Sequence, residues 1–534
     1  MGLFSKGVIF LQQEQITILY TSDIHGHILP INYGNNKPED IGLVKYATIV
    51  KQARQAKKNL IVLDNGDLIQ GTPLMTNFVK NYSYRENPTI GIMNQLNIDA
   101  GVLGNHEFNF GKDIISSAVG QAEYPILSAN ILDSETEKPA FGPPYITKQF
   151  SNGIRLAIIG VTTHYIPNWE SPEHIKGLKF ADALETLKKW AAYVKVNEAP
   201  DVIIASYHGG FEADLETGTP TEIYTGENQG YKMCMEIPEI DVLLTGHQHR
   251  KLTGFINDVL VIQPGNNGTH YGEVSLQLTK NAEGKWQIAN KEASLHNLEQ
   301  VENDDEVLHY INPLEKATQA WLDEPIGYIN GDMTITDPLE ARIKKHPFIQ
   351  FIQNVQMEAS GADISVTSLL NNNSLGFTST VTMRDVVSNY IYPNTLVVLE
   401  LSGKDIIKAL EQTAQYFTLT DAGEITVNPV YIEPKPQHYN YDMWEGIEYT
   451  FNISKPMGER VEHVTYHGEP LMDDNTYKVV LNNYRASGGG DYAMFQGKKV
   501  VKEIQKDAVE LIQEYFEKYH IVEAKTVDNF KVIK

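Results

Sequence analysis

Residues 16–27, ITILYTSDIHGH, set an apolar, β-rich run (Ile16, Ile18, Leu19, Tyr20) against an abrupt cluster of Asp23, His25 and His27. A buried parallel strand ends this way when the loop that follows it carries chemistry. Four later runs end alike. LIVLDNGD brings Asp67, AGVLGNHEFNFG brings Asn105 and His106, VIIASYHGG brings His208, and VLLTGHQH brings His247 and His249. Carboxylate, imidazole and amide oxygen are the donors that borderline divalent transition metals accept, and short strand-end loops hold them rigidly. Asp23, His25, Asp67, Asn105, His208, His247 and His249 are more ligands than one ion needs. Two ions ~3.5–4 Å apart, sharing a bridging carboxylate, would use them all; such a pair clamps a phosphoryl group and makes hydroxide from water near neutral pH.

Composition narrows the setting. At 534 residues the chain is too long for one core, so two domains are expected. It carries 44 basic and 68 acidic side chains, a net charge of -24. A surface that negative disfavours long nucleic acid, whereas two metal ions can still reverse the field locally for a small nucleotide. No run reaches the ~18 apolar residues of a membrane span, and the apolar run near the amino terminus is too short for a secretory leader. The single cysteine, Cys234, excludes an internal disulfide and fits a reducing compartment. The expected address is therefore cytoplasmic, or exported if the amino terminus is mis-assigned, and the expected assembly is a monomer or weak oligomer.

Along the chain, residues 1–14 form an extension. Residues 42–58 place Leu43, Tyr46, Ala47 and Val50 on one helical face. Residues 60–67, 98–104, 125–131, 154–162, 201–208 and 240–246 read as strands, so strand, ligand loop, covering helix and next strand follow as in an α/β sandwich, with the ligands at one sheet edge. Residues 212–231 have no clean period and read as a long loop. Closing strands follow over 259–278, and the first domain spans 15–300. Asn303 and Glu306 have capping-box spacing ahead of a helical connector over 301–324, in which Pro313 predicts a kink. Residues 325–534 form a second α/β domain, with helices from Pro347, Thr382 and Lys404, strand-like TLVVLELSG, VYI, IEYTFNI and YKVVLNNY, and a last helix over 508–519.

Three polar or glycine-rich stretches stand out in this second half. SLLNNNSLG (368–376) offers Asn371 and Asn373 as amide donors; HYNYDMWEG (438–446) gathers Tyr439, Tyr441 and Trp444; NNYRASGGGDY (482–492) joins Arg485 to a triple glycine and Tyr492. Aromatic rings that stack on a base contribute ~1–3 kcal/mol each.

DxH, GD, GNHE, YHGG and GHxH, in this order, resemble the calcineurin-like metallophosphoesterases, and the second half resembles the carboxyl-terminal domain of the 5'-nucleotidase and cyclic-nucleotide phosphodiesterase group. The resemblance implies a four-layer α/β/β/α sandwich plus an α/β nucleotide-binding domain. It implies two divalent ions (Mn²⁺, Zn²⁺, Co²⁺ or Fe), the first on Asp23, His25, Asp67 and His249, the second on Asp67, Asn105, His208 and His247. It makes His106, with Asn105, a catalytic group that contacts phosphate and aids the leaving oxygen; Glu107, next in the chain, is expected to support the loop and not to bind metal. It implies a base sandwich by Tyr441 and Tyr492, with Trp444 as substitute for the first, Arg485 on ribose or phosphate, and a hinge around 301–324.

GNHEFN, TMRDVVSNYIYPNTL and NNYRASGGG resemble the 2',3'-cyclic-nucleotide 2'-phosphodiesterase/3'-nucleotidase branch. LLNNNSLG and Asn109 stand where 5'-nucleotidases carry a glycine-rich stretch with an arginine and an aspartate. The expected activity is hydrolysis of small nucleotides of that branch. A 5'-nucleotidase, a nucleotide-sugar or dinucleotide hydrolase, and a non-catalytic nucleotide sensor are the alternatives. Asn109 orients His106 without a counter-charge, so a weaker proton donor is expected there.

Overall fold

The computed structural model describes residues 13–168, 170, 172–221, 224–390, 394–433, 436–504 and 506–534. It divides into two compact units, one of residues up to Asn32 with Lys37–Thr318, the other of Tyr33–Asn36 with Gln319–Lys534.

The first unit is built on two six-stranded sheets. In the first, Gln13–Thr21 pairs in parallel with Leu60–Asp64, which continues to Ala100–Val102 and Ile126–Leu127; on its other side lie the antiparallel strands His270–Lys280 and Trp286–Asn297. In the second, Arg155–Thr162, Val202–His208, Val242–Thr245 and Val259–Pro264 run parallel, flanked by the antiparallel edge strands Tyr145–Gln149 and Lys251–Ile256.

The apolar runs explain the layering. Ile16, Ile18, Tyr20, Ile61 and Leu63 share one buried cluster with Leu156, Ile158, Ile204, Leu244 and Ile262, so the two sheets meet face to face. Alternate residues of the second sheet, Ala157, Ile159, Ile203, Ala205 and Leu243, pack with Leu184, Leu187, Ala191 and Val194 of helix Ala183–Asn197. Helix Leu43–Ala56 buries Leu43, Tyr46, Ala47 and Val50, as its spacing predicts. Strands that bury both faces read as continuous Val/Ile/Leu, because neither face can be polar. The expected α/β/β/α sandwich is the observed one.

Two local expectations are corrected, and one strand comes in addition. The connector helix spans Asp305–Leu322, through Pro313, and its first turn is capped by Asp304, whose Oδ1 accepts from the Val307 amide at 3.0 Å, rather than by Asn303. Trp286–Asn297 is a twelve-residue strand that the sequence hid, since an exposed edge carries Gln, Asn, Lys and Glu where a buried strand carries Val and Ile. VYI is a 3₁₀ turn over Pro429–Tyr431, set by the Pro429 φ and by Asn428, whose side chain accepts from the Val430 amide.

The second unit centres on a five-stranded sheet of Asp442–Glu445, Ile364–Ser368, Thr476–Asn482, Leu396–Ser402 and Lys499–Ile504, in that spatial order. Helix Pro347–Ser360 covers it with Phe348, Phe351, Ile352 and Val355. Helices Met383–Asn389 and Gly403–Ala414 each begin on a complete capping box, Thr382 with Asp385 and Ser402 with Asp405.

Candidate dimetal site and comparison with known proteins

All seven candidate ligands come together at the carboxyl ends of the parallel strands. Asp23 and His25 follow Thr21, Asp67 follows Asp64, Asn105 follows Val102, His208 is the last residue of its strand, and His247 and His249 follow Thr245. Asp23, His25 and His249 offer one cluster of donor atoms within 4.8 Å of one another; Asp23, Asp67 and His208 offer another.

The atoms sort into two sets around Asp67. Its Oδ2, buried and without a hydrogen-bond partner, lies 3.9 Å from His25 Nε2 and 3.2 Å from His208 Nε2. On one side His25 Nε2 and His249 Nε2 are 3.0 Å apart, with Asp23 Oδ1 3.5 Å from the latter. On the other, Asn105 Oδ1 is 3.1 Å from His208 Nε2 and 2.8 Å from His247 Nδ1. A buried carboxylate oxygen set between two groups of imidazole nitrogens crowded to about 3 Å is a donor set that fits a bridged pair of cations.

The backbone reaches this arrangement at a cost. Asp23, His25, Asp67, His247 and His249 all have φ between 49° and 68°, a region that costs a non-glycine residue ~1 kcal/mol or more. Cross-loop hydrogen bonds hold them: the Asp23 amide to Gly66 O at 2.9 Å, the His25 amide to Asp67 O at 2.7 Å, and the Asn267 amide to Asp23 O at 2.7 Å. Glycine is demanded at two places by close approach: a Cβ at Gly104 would stand 2.1 Å from Asp67 Oδ1, and one at Gly246 2.6 Å from Asp23 Oδ2.

Glu107 supports the loop, as expected. Its carboxylate accepts from the amides of Asp67 at 2.8 Å, Leu68 at 2.5 Å and Ile69 at 3.1 Å, and from Gly104 as well. His106 donates its amide to Asp67 Oδ1 at 2.8 Å, and its ring lies 5.2 Å from that of His25.

Electrostatics follow from two buried carboxylates. Burial holds the His25 imidazole neutral, down to about 3, against the pull of Asp67. Burial also lowers His208, but the Asp67 carboxylate outweighs it and pushes the ring up to about 10. A divalent cation at these atoms supplies the charge that His208 otherwise carries as a proton.

One residue in contact with the candidate ligands had no local signal. Glu227, from the long loop, places Oε1 2.8 Å from His247 Nε2. A carboxylate accepts only, so His247 carries its proton on Nε2 and presents Nδ1 to the metal side. His208 is oriented similarly, with Nδ1 2.6 Å from Asn65 O.

In the second unit the expected substrate contacts are redistributed. Tyr441 and Tyr492 are wholly buried, and so is Trp444, so none presents a ring face to a base. Tyr441 donates to Arg342 O at 3.1 Å, and Tyr492 to Asn440 O at 3.0 Å. Arg485 is an internal group: its Nε lies 2.8 Å from Asp442 Oδ2 and its guanidinium 3.9 Å from the Tyr492 ring centroid. The triple glycine folds around it, since a Cβ at Gly490 would stand 2.5 Å from Arg485 Nη1. The aromatic of that stretch which reaches solvent is Tyr484, 43% exposed, with Tyr439 edge-on at 6.2 Å. Asn373 is exposed and Asn371 half-buried, Asn371 Oδ1 accepting from the Asn373 amide at 2.6 Å. Asn372 between them is tied inward to Arg342 at 2.8 Å and His438 at 3.0 Å.

Fold and site together define a metal-dependent phosphoester hydrolase. Residues 16–251 match the calcineurin-like phosphoesterase family, and residues 325–497 match the 5'-nucleotidase C-terminal domain. The crystal structure of a Staphylococcus aureus protein assigned provisionally as a 5'-nucleotidase is 36% identical, covers 98% of this chain and 100% of its own, and superposes with a TM-score of 0.74. The trifunctional nucleotide phosphoesterase of Bacillus subtilis is 26% identical over 97% of this chain, which spans 38% of that protein's length. A Haemophilus influenzae protein named 2',3'-cyclic-nucleotide 2'-phosphodiesterase/3'-nucleotidase is 27% identical over 89% of this chain and 80% of its own. The chain belongs to the metallophosphoesterase family that joins a calcineurin-like phosphoesterase domain to a 5'-nucleotidase carboxyl-terminal domain. Its members bind two divalent metal ions, which the cluster around Asp67 can hold. Among the described residues no helix is long and apolar enough to cross a membrane.

Proposed function

We propose that this protein hydrolyses small nucleotides as a 2',3'-cyclic-nucleotide 2'-phosphodiesterase and 3'-nucleotidase. The observation that carries the branch is Asn109, an amide rather than a carboxylate, 2.7 Å from His106 Nδ1. A donor aided by an amide suits leaving oxygens that ring strain already helps. The relative from Haemophilus influenzae that bears this name supports the same reading.

Asp23, His25, Asp67 and His249 would hold one metal, and Asp67, Asn105, His208 and His247 the other. When bound, the pair neutralises phosphoryl oxygens and acidifies water. His106, beside Asp67, steadies the charge that builds on phosphorus-bound oxygen and protonates the departing ribose oxygen through Nε2. Glu107 accepts from the amides of residues 67–69 and 104 and so holds together the loops that carry Asp67 and His106. Tyr484, rather than Tyr441 or Tyr492, offers a face for the base, with Tyr439 at its edge and Asn371 and Asn373 as polar contacts. A cytoplasmic address, which the lone buried Cys234 fits, and a monomeric or weakly associated state go with this reading.

The test is phosphate and nucleoside release from 2',3'-cyclic AMP, 3'-AMP and 5'-AMP by Mn²⁺-loaded protein, with an EDTA control. Turnover of the first two above 5'-AMP is expected. Preference for 5'-AMP would replace this reading with a plain 5'-nucleotidase.

A further inference from the structure

The 3₁₀ turn His106–Phe110 brings Asn109 back against His106, and the contact does not end there. Asn109 Nδ2 donates to Glu170 Oε2 at 2.8 Å, and Glu170 Oε1 lies 2.8 Å from His174 Nδ1. The Glu170 side chain is 3% exposed and that of His174 38%, so four side chains form a line from the reaction centre to solvent. Sixty-one residues separate Asn109 from Glu170, and no motif links them.

The line has a direction. An ionised carboxylate only accepts hydrogen bonds, so the Asn109 amide nitrogen must face Glu170. Its oxygen then faces His106, and because an amide oxygen also only accepts, the hydrogen of the imidazole is required on Nδ1. Nε2 is left as the atom that exchanges a proton with substrate. Turning the amide over would set NH₂ against the Nδ1–H and oxygen against carboxylate, two mismatches at once. Asn109 alone could adopt either orientation; Glu170 removes the choice.

We propose that Glu170 is a positioning residue for phosphoester hydrolysis, acting through Asn109 to fix the tautomer and ring orientation of His106, with His174 holding the carboxylate from the solvent side. This rests on the reading of His106 as the group that protonates the leaving oxygen. In that step the Nε2–H bond breaks and an O–H bond forms on the leaving oxygen, while the bonding pair stays on Nε2. The Nδ1–H remains on Asn109 Oδ1 throughout, and water returns the proton to Nε2 after product leaves. Nothing passes down the line, since an amide cannot relay a proton; Glu170 orients and polarises. Glu170 stands behind Asn109 and not against His106, so the ring itself still meets an amide.

The experiment compares Glu170→Ala, Asn109→Asp and Asn109→Asp/Glu170→Gln with His106→Ala, as Mn²⁺-loaded full chains of measured metal content. Each is assayed on 4-nitrophenyl phosphate, whose leaving group needs no proton, and on the adenosine phosphate the wild type turns over fastest, whose alkoxide does. Glu170→Ala should lower kcat for the nucleotide ~10-fold or more, with KM within ~3-fold, and lower the nitrophenyl ester's kcat several-fold less. Asn109→Asp should lose nucleotide turnover, because it sets two carboxylates against each other. The double variant should recover most of that loss, since its new amide at position 170 donates to the new carboxylate at position 109, which also accepts from His106. Equal losses on both substrates for Glu170→Ala, or a double variant no better than Asn109→Asp, would overturn the proposal. If His106→Ala itself falls equally on both substrates, the reading of His106 as proton donor fails instead.

Discussion

His247 stands between two oxygens: its Nδ1 is 2.8 Å from Asn105 Oδ1 and its Nε2 2.8 Å from Glu227 Oε1. The first contact is between two candidate metal ligands, and the second decides which nitrogen of His247 could be one. Removing the carboxylate as Glu227→Ala frees the ring to rotate and change tautomer, so affinity for the second metal should fall ~10–100-fold. Titration with Mn²⁺ or Zn²⁺ after chelation, with metal content read by mass spectrometry, checks this. Unchanged affinity would mean that His247 is held by other contacts.

Glu107 is a buried carboxylate bound only by backbone amides, four of them. Glu107→Gln replaces one accepting oxygen by a donor that faces N–H groups. Hydrogen bonds to a charged group contribute ~1.5–3 kcal/mol each, so a loss of at least ~3 kcal/mol is expected, with a Tm lower by roughly 5–10 °C. Calorimetry of the metal-loaded protein measures it, and the cluster should lose metal in step because Asp67 sits on the same loop.

His106 touches Asp67 through its amide, not through its ring. His106→Ala should therefore keep metal stoichiometry and lose ~10²–10⁴ in turnover. Loss of metal in this variant would place His106 among the ligands.

In the metal-free protein two histidines titrate in opposite senses. His25 is lowered from 6.5 to about 3, so below pH ~6.5 the unfolded chain binds a proton that the folded one refuses, and stability falls as pH falls through that window. His208 is raised from 6.5 to about 10, so its contribution is fully present below 6.5 and is lost as pH rises through 10. The Tm of EDTA-treated protein should accordingly peak near pH 6.5. Metal loading should move the maximum upward, because ligands must be deprotonated. Coincident profiles with and without metal would contradict this.

Tyr484 and Tyr492 separate recognition from packing. Tyr484→Ala should raise KM for a nucleotide by ~5–150-fold, the ~1–3 kcal/mol of one stacked base, with stability little changed. Tyr492→Phe should leave KM alone and cost about 1 kcal/mol through its buried hydroxyl, 2.7 Å from Thr413 Oγ1. The reverse pattern would restore the buried tyrosines as base contacts.

Much of the sandwich was legible, and so were the seven candidate ligands that the strand ends bring together, because a strand that buries both faces and a donor at its end are local patterns: Ile16 to Asp23, Leu60 to Asp67, Val202 to His208. The helix start at Thr382 with Asp385 was local too. The edge strand Trp286–Asn297 was not, since its outer face answers to water. Arg485, Tyr441 and Tyr492 misled for another reason. Tyrosine and arginine bury as readily as they bind, and only their partners in space, Asp442 on Arg485, Arg342 O on Tyr441 and Asn440 O on Tyr492, distinguish the two.

The sequence by itself determined which donors stand at the carboxyl ends of which strands, and hence that a phosphoester-cleaving pair of metals can be held there. It did so because a strand's end and its next few residues are fixed by the same short stretch of chain. Only the tertiary structure decided what stands behind those donors: Glu227 on His247, Glu170 behind Asn109, Asp442 on Arg485. A hydrogen bond depends on a separation of about 3 Å in space, and chain segments 20, 61 and 43 residues apart reach it only once the sheets have packed.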